Sequence, residues 1–419
     1  MTIGKKQFTL HEDWAVVILG LLTIFITIVG LVLPVPIFNW STSTELFSKV
    51  LPAKNLQIIS LQFLFVIIVA GAGALLTNKS LKNFIPGFPV LYLLTIIALI
   101  LAGSAAVRGL NLEAVIISLA IGLIISNFFK VPGWLKESLS TELYVKVGLI
   151  LLGTSVIFGD ILKAGTLGLV QALMVVISVW YFAFWVSKKL EVDDELTMML
   201  SSAVSICGVS AAIATSGAIK GDPKKLSYVI SLVLITAVPM MIGMPYIAHA
   251  LGLSQEVTGA WLGGTIDTTG AVVASGTLVG EEALKISTIV KFSQNVLLGV
   301  AAFAIAVYWS YTKHPGVEGD QVKPTLGVIW ERFPKFVLGF IAASLLFSFF
   351  IQPSVIAEVK GSLKNLQGLW FTLAFTSIGL ETKFSDLFKH ENRKPLYAFL
   401  IAQTFNIFIT LIISYFLFR

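Results

Sequence analysis

Apolar stretches follow one another along the chain from Trp14 to Phe418, each closed by a short polar joint. Thirteen stand out, at 14–33, 56–77, 90–107, 112–129, 142–162, 165–187, 196–219, 225–249, 257–278, 284–311, 332–351, 364–381 and 396–418. A helix needs roughly 20 apolar residues to cross the hydrocarbon core, and only helices and closed barrels satisfy their backbone groups there. The pattern predicts an all-α polytopic membrane protein with ten to thirteen transmembrane segments. The longest polar joints, near 34–56 and 312–329, leave no room for a separate soluble domain. Residues 1–419 therefore read as a single transmembrane transporter domain, built as one bundle or two.

Composition agrees with that reading. Hydrophobic residues make up 56% of the chain and charged residues 12%, too little charge to cover a soluble surface. The net charge of +6 sits mostly in joints, at Lys5, Lys6, Lys188, Lys189, Lys224, Lys225, Arg393 and Lys394. Basic joints mark the cytoplasmic side of a membrane protein, and no aromatic–basic interleaving outside the spans points to nucleic acid. The single Cys207 excludes an intrachain disulfide and a cysteine metal cluster. The histidines, His11, His249, His314 and His390, lack ligand spacing, so no metal site is expected. No P-loop and no His-Glu-x-x-His occurs, which argues against an ATP-driven pump and against an enzyme. The run at 14–33 ends at Pro34 without a small-x-small cleavage site, so a retained first helix is expected rather than a signal peptide.

The basic joints also bear on orientation. Lys5 and Lys6 put the start of the chain inside, and Lys79 and Lys82, Lys130 and Lys136, and Lys188 and Lys189 fall on inside joints after the second, fourth and sixth spans. The next joint, Lys220 to Lys225, is basic again, although a full crossing at 196–219 would put it outside. Either 196–219 is re-entrant, or it crosses as two half-helices and the charge rule bends.

Three apolar segments look interrupted by glycine and hydroxyl residues: Ser205 to Gly217, Gly263 to Gly276, and Thr376 to Thr382. Close helix packing uses the same small residues. A discontinuous helix, whose freed backbone lines a substrate or ion site, uses them too. Three such segments in one chain favour breaks. A fainter echo pairs Gly153, Phe158 and Asp160 with Gly379, Phe384 and Asp386 at equal spacing, as two inverted repeats would.

Charge within the spans is scarce, so each instance carries information. Asp267 lies inside 257–278 between two Gly/Thr clusters, and a bare carboxylate at that depth must be solvated, paired or protonated. It reads as a proton carrier, a cation ligand or the counter-charge to a lysine. Lys291 is its basic counterpart, on a stripe with Ser287, Thr288, Ser293, Gln294 and Asn295. It either snorkels to the interface, binds an anion or neutralises Asp267. Lys146, Glu381 and Lys383 lie near span ends and rank second. The centre of 205–217 has no acid, so half-helix N–H groups with Ser205, Ser210, Thr215 and Ser216 would favour an anion.

The runs Ser205-Ile-Cys-Gly-Val-Ser-Ala-Ala-Ile-Ala, Gly264-Thr-Ile-Asp-Thr-Thr-Gly-Ala-Val-Val-Ala-Ser-Gly276 and Ser287-Thr-Ile-Val-Lys291, in this order, resemble a conserved-hypothetical family of bacterial inner-membrane proteins known as sulfate exporters. The resemblance covers about residues 55–419. It implies a multi-pass protein of the bacterial plasma membrane, distantly related to cation/proton antiporters and bile-acid symporters, with inverted repeats. The chain departs from the family where charge matters: Asp267 and Thr268 replace a His-acid pair, Ala271 a glutamine, and Gln294 an arginine.

The reading that follows is a secondary transporter for a small inorganic or organic anion (sulfate, sulfite or an organosulfur anion), coupled to H⁺ or Na⁺ and using no other cofactor. Substrate would be held by Ser205, Gly208, Ser210, Thr215, Gly264, Thr265 and Lys291, with ion coupling at Asp267, Thr268 and Thr269. The expected partners are the anion, the lipid bilayer and a second copy of the chain as a homodimer, with no nucleic acid. The rival readings are a sodium/proton antiporter and a non-transporting membrane scaffold or subunit.

Overall fold

The computed structural model describes residues 11–109, 114–313, 330, 333–383 and 393–419. Phe384 and Asp386 of the echo, Lys5, Lys6, His314 and His390 lie outside the described residues. The main helices are α1 (Glu12–Ile28), α2 (Ala53–Leu76), α3 (Leu81–Ala102), α4 (Ala114–Phe128), α5 (Thr141–Gly153), α6 (Phe158–Lys189), α7 (Asp194–Ser205), α8 (Val209–Ile219), α9 (Pro223–Ala250), α10 (Gln255–Thr265), α11 (Thr269–Val279), α12 (Glu281–Lys313), α13 (Phe336–Leu345), α14 (Pro353–Glu381) and α15 (Lys394–Phe418). Among the described residues the only strand-like contact is a bridge between Trp40 and Ser104. Among the described residues six helices are long and apolar enough to cross a membrane alone: α2, α3, α6, α9, α12 and α15. The protein is an all-α, multi-pass membrane protein. It divides into two compact units, Met1–Phe158 with Lys335–Lys383, and Gly159–Pro334 with Phe384–Arg419.

In the first unit Lys146 Nζ lies 3.0 Å from Asp13, 3.3 Å from Glu12 and 3.4 Å from Glu142, so it is ion-paired rather than merely interfacial. Glu381 accepts a hydrogen bond from Thr141 Oγ1 at 2.9 Å. The interruption expected at Thr376–Thr382 does not occur: α14 runs unbroken to Glu381. Its small residues serve close packing instead. A Cβ on Gly379 would stand 2.5 Å from the Leu119 carbonyl oxygen, and one on Gly122 would stand 2.6 Å from that of Thr376. The hydroxyls of Thr376 and Ser377 donate back to their own helix, to Thr372 O and Leu373 O. The carbonyls freed there belong to the helix's own C-terminal end, where Ser126 Oγ donates to Gly379 O and Thr382 O, each at 2.8 Å.

In the second unit the other two interruptions are real, and each is the tip of a helical hairpin. The chain rises along α7, turns at Ile206–Gly208 and returns along α8. The return is visible at the base. The Asp222 N–H donates to Glu195 Oε2 at 3.0 Å, and Lys225 Nζ lies 2.7 Å from Asp193 and 3.3 Å from Glu195. The second hairpin rises along α10, turns at Ile266–Thr268 and returns along α11. At its base Gly280, with φ +148°, lies so close to Gln255 that a Cβ would meet Gln255 Oε1 at 2.6 Å. A half-helix of 12 residues rises about 18 Å, well short of the roughly 30 Å hydrocarbon core. Both segments are therefore re-entrant, reaching inward and coming back to the end they left.

Sequence sets these boundaries locally. Asp193 caps α7 by accepting from the N–H groups of Glu195 and Leu196, Ser254 caps α10 by accepting from Val257, and Asp222 before Pro223 starts α9. Each hairpin leads directly into a long helix, the first into α9 and the second into α12. The 28 residues of α9 run about 42 Å from one hairpin's base to the other's, so the hairpins enter from opposite ends of the unit. This is an inverted pair. Re-entrance also resolves the charge pattern, because joint 220–225 stays at the end of the unit that carries 188–195 and Lys394. Lys188 pairs with Asp194 there, and Lys394 lies 2.7 Å from Glu191.

Candidate functional site

The two tips meet inside the second unit. A Cβ built on Gly208 would stand 3.0 Å from Asp267 Cβ, and Gly208 holds φ +59°, a conformation glycine adopts without cost. Close approach continues down the second hairpin, where Cβ atoms on Gly259 and Gly263 would stand 2.7 and 2.5 Å from the carbonyl oxygens of Ala283 and Ser287 on α12. The glycines thus let α10 lie against α12, which brings Lys291 up to the tips.

Each tip exposes two kinds of backbone ends. The rising half-helices, α7 and α10, present carbonyls with no intrahelical donor; the returning ones, α8 and α11, present N–H groups with no intrahelical acceptor. The carbonyl side is closed. Lys291 Nζ donates to Ile206 O, Ile266 O and Gln294 Oε1, each at 2.8 Å. Gln294 Nε2 donates to Ser205 O at 2.8 Å and Gly264 O at 3.2 Å. From α15, Asn406 Nδ2 reaches Val204 O at 3.1 Å and Thr265 O at 3.2 Å, while Gln403 Nε2 reaches Thr265 O at 3.0 Å. A cation at two helix C-termini is also favoured by their dipoles.

The N–H side is more open. Ser210, in the first turn of α8, is exposed, and Thr268 and Thr269 are half-buried, whereas Ser205, Gly264 and Thr265 are buried. No side chain caps α8 at Gly208. Thr268 caps α11 by accepting from the Ala271 N–H at 3.3 Å, and Thr269 Oγ1 accepts from Asn295 Nδ2 at 3.3 Å.

The structure thus brings together at the tips Ser205, Gly208, Ser210, Gly264, Thr265, Asp267, Thr268, Thr269 and Lys291. Thr215 lies farther away, seven residues along α8 and buried. Ser205 spends its hydroxyl on Ser201 O at 2.7 Å. Lys291 does not snorkel: it is 1% exposed, and its three protons go to two carbonyls and an amide oxygen, while its charge acts on Asp267 without a direct hydrogen bond. Asp267 is 1% exposed, and its Oδ2 accepts no hydrogen bond. Gln403 and Asn406 are additions that the sequence reading missed. Their signal was a polar stripe, Gln403, Asn406, Thr410 and Ser414, at helical spacing through an otherwise apolar span.

Paired re-entrant hairpins in an all-α bundle define a multi-pass membrane protein with irregular backbone buried at its centre. The chain belongs to the family described as Conserved hypothetical protein 698, whose model matches residues 86–398. It is 42% identical over 353 residues to a UPF0324 membrane protein of Rhodopirellula baltica, covering 82% of this chain and 64% of that protein. A UPF0324 membrane protein of Nitratidesulfovibrio vulgaris is 38% identical over 354 residues, covering 81% of this chain and 60% of that protein. The chain thus spans 60 to 64% of the length of these two relatives. A third, from Nitrosomonas europaea, is 32% identical over 362 residues, with 73% and 72% covered. No solved structure matches the chain.

Proposed function

We propose that the protein is a secondary carrier whose transport site lies at the two hairpin tips, and that its cargo is a small anion such as sulfate, sulfite or an organosulfur anion. The observation that carries this reading is the asymmetry of the tips: their carbonyls are consumed by Lys291, Gln294, Gln403 and Asn406, while the N–H ends of α8 and α11 lie beside the accessible Ser210, Thr268 and Thr269. Helix N-termini favour anions through their free N–H groups and their dipoles. Lys291 and the three amides then hold the tips rather than the cargo, and Asp267 handles a coupling H⁺ or Na⁺. The carrier makes and breaks no covalent bond, so it is not an enzyme. The resemblance to sulfate exporters adds support for the cargo and for the bacterial plasma membrane as its location.

One observation favours the sodium/proton antiporter as a second reading: Asp267 is a buried carboxylate with an unpartnered oxygen and needs no anion. Flux into liposomes carrying the purified protein separates the two. Uptake of sulfate, sulfite or a small sulfonate, stimulated by a Na⁺ or pH gradient, is expected. Exchange of Na⁺ for H⁺ with no anion movement would replace the carrier reading by the antiporter, and absence of any flux would leave the scaffold reading.

A further inference from the structure

On the carbonyl side of the tips the donors of Lys291, Gln294, Gln403 and Asn406 are spent, whereas several acceptors nearby are not. Lys291 gives its three protons to Ile206 O, Ile266 O and Gln294 Oε1. Gln294, Gln403 and Asn406 give their amide protons to carbonyls of Val204, Ser205, Gly264 and Thr265. Four buried oxygens around the second tip meet no donor: Asp267 Oδ2, Thr265 Oγ1, Gln403 Oε1 and Asn295 Oδ1. Orphaned polar atoms in a protein interior are costly, and a cluster of them calls for a missing partner.

The sign of that partner follows from the chemistry. Amide and ionised carboxylate oxygens only accept, and a threonine hydroxyl can accept. The orientation of Gln403 is fixed, because its Nε2 faces the Thr265 carbonyl, which cannot donate, and its Oε1 is the atom left over. An anion would meet four more oxygens here. A cation would satisfy them.

The four residues are tied to the same turn by sequence and by hydrogen bonds. Gln403 is bonded to Thr265 itself. A single extended residue, Ile266 with φ −75° and ψ 129°, separates Thr265 from Asp267. Asn295 stands one helical turn beyond Lys291, which is bonded to Ile266 O, and donates to Thr269 on the other side of the tip. The positive charge of Lys291 acts on Asp267 and is offset in part by the carbonyl ends of α7 and α10 that it faces. Asp267 is the single carboxylate of the set, and among the described residues no group of three or more His, Cys, Asp or Glu gathers as a divalent or transition-metal site would. One carboxylate with neutral oxygens suits a single positive charge better than two.

We propose that the second hairpin tip carries a binding site for a small monovalent cation of the Na⁺ type, ligated by Asp267 Oδ2, Thr265 Oγ1 and Gln403 Oε1, with Asn295 Oδ1 as a further oxygen. As a coupling ion it rests on the carrier reading; as a binding site it does not. Cation and anion would occupy opposite sides of the same tips, the cation on the buried acceptors and the anion on the accessible N–H ends. Binding of the cation would satisfy the oxygens of Thr265 and Asp267 across the turn at Ile266, and so order the tip against which the anion sits.

The test is equilibrium binding of radiolabelled Na⁺ to the purified full chain, with Asp267→Asn, Thr265→Val and Thr372→Val beside it. Saturable binding to the unaltered protein is expected, lost in D267N. In T265V it should weaken about tenfold, the equivalent of roughly 1.4 kcal/mol. T265V keeps side-chain shape, and the hydroxyl it removes bonds nothing in the protein, so folding is preserved. T372V removes a hydroxyl that donates to its own helix in the first unit and should bind Na⁺ as the unaltered protein does. Absence of saturable Na⁺ binding, or unaltered binding in both D267N and T265V, would overturn the site. Na⁺ binding without anion flux in liposomes would leave the site standing and remove the carrier reading, so the two can fail separately.

Discussion

Two stretches of this chain look alike in sequence and behave oppositely. Ser205–Gly217 and Thr376–Thr382 both mix glycine with hydroxyl residues inside an apolar run. The first breaks at Ile206–Gly208 and turns back; the second continues as helix to Glu381. Small residues permit either outcome, since they allow both close packing and an open turn. What separates the two is where the donors act. At the break, an ammonium and two amides reach the freed carbonyls of Val204, Ser205 and Ile206. At Thr376–Thr382 the hydroxyls turn back onto their own helix, the glycine seats a neighbouring backbone, and the donors Ser126 and Asn127 reach carbonyls at that helix's own end. A break buried in a membrane protein survives only where side chains replace the lost ladder.

The comparison can be broken most forcefully at Lys291. Lys291→Met removes the donor shared by both tips and leaves two buried carbonyls unmet, so a loss of about 3 kcal/mol is expected. Thermal unfolding of the purified protein in detergent would read it, and an unchanged midpoint would mean that the tips do not need the clamp. Gly379→Ala tests the other stretch. Its Cβ would press on Leu119 O, and overpacking of this kind costs about 2 kcal/mol. The same unfolding measurement should show that loss while Na⁺ binding at the second unit's tips stays unchanged. A change in Na⁺ affinity in G379A would blur the distinction between packing glycines and site glycines.

The smallest structural disturbance comes from Ser210→Cys in a Cys207→Ser background. Ser210 is exposed whereas Thr265 is buried, so a water-soluble thiol reagent should label the cysteine at 210 much faster than one placed at Thr265. Equal labelling at the two positions would remove the asymmetry on which the anion's placement rests.

Much of the fold was legible. The apolar runs gave the helices, and the glycine-hydroxyl clusters gave both hairpin tips. The basic joint at Lys220–Lys225 even hinted at re-entrance, because a crossing at 196–219 put it on the wrong side. The third cluster misled because composition near a residue says nothing about donors 85 to 202 positions away, such as Lys291 for Ile206 and Asn406 for Val204. The site was half legible for the same reason. Asp267 and Lys291 stood out as charges in apolar surroundings, but their geometry did not: each lysine proton finds a carbonyl or an amide, so the ammonium fastens the tips and acts on Asp267 only through its charge. Gln403 and Asn406 are uncharged and were overshadowed, although their spacing marks one face of α15.

The far-reaching donors also impose a timetable. A ribosome makes the first hairpin before any other re-entrant part of the second unit, yet the groups that complete its tip are synthesised much later: Lys291 and Gln294 with α12, and Asn406 with the last helix. Until then the carbonyls at Val204, Ser205 and Ile206 lack their native partners in a hydrocarbon environment that offers no substitute. A nascent chain halted before α15 would thus carry a half-fastened tip.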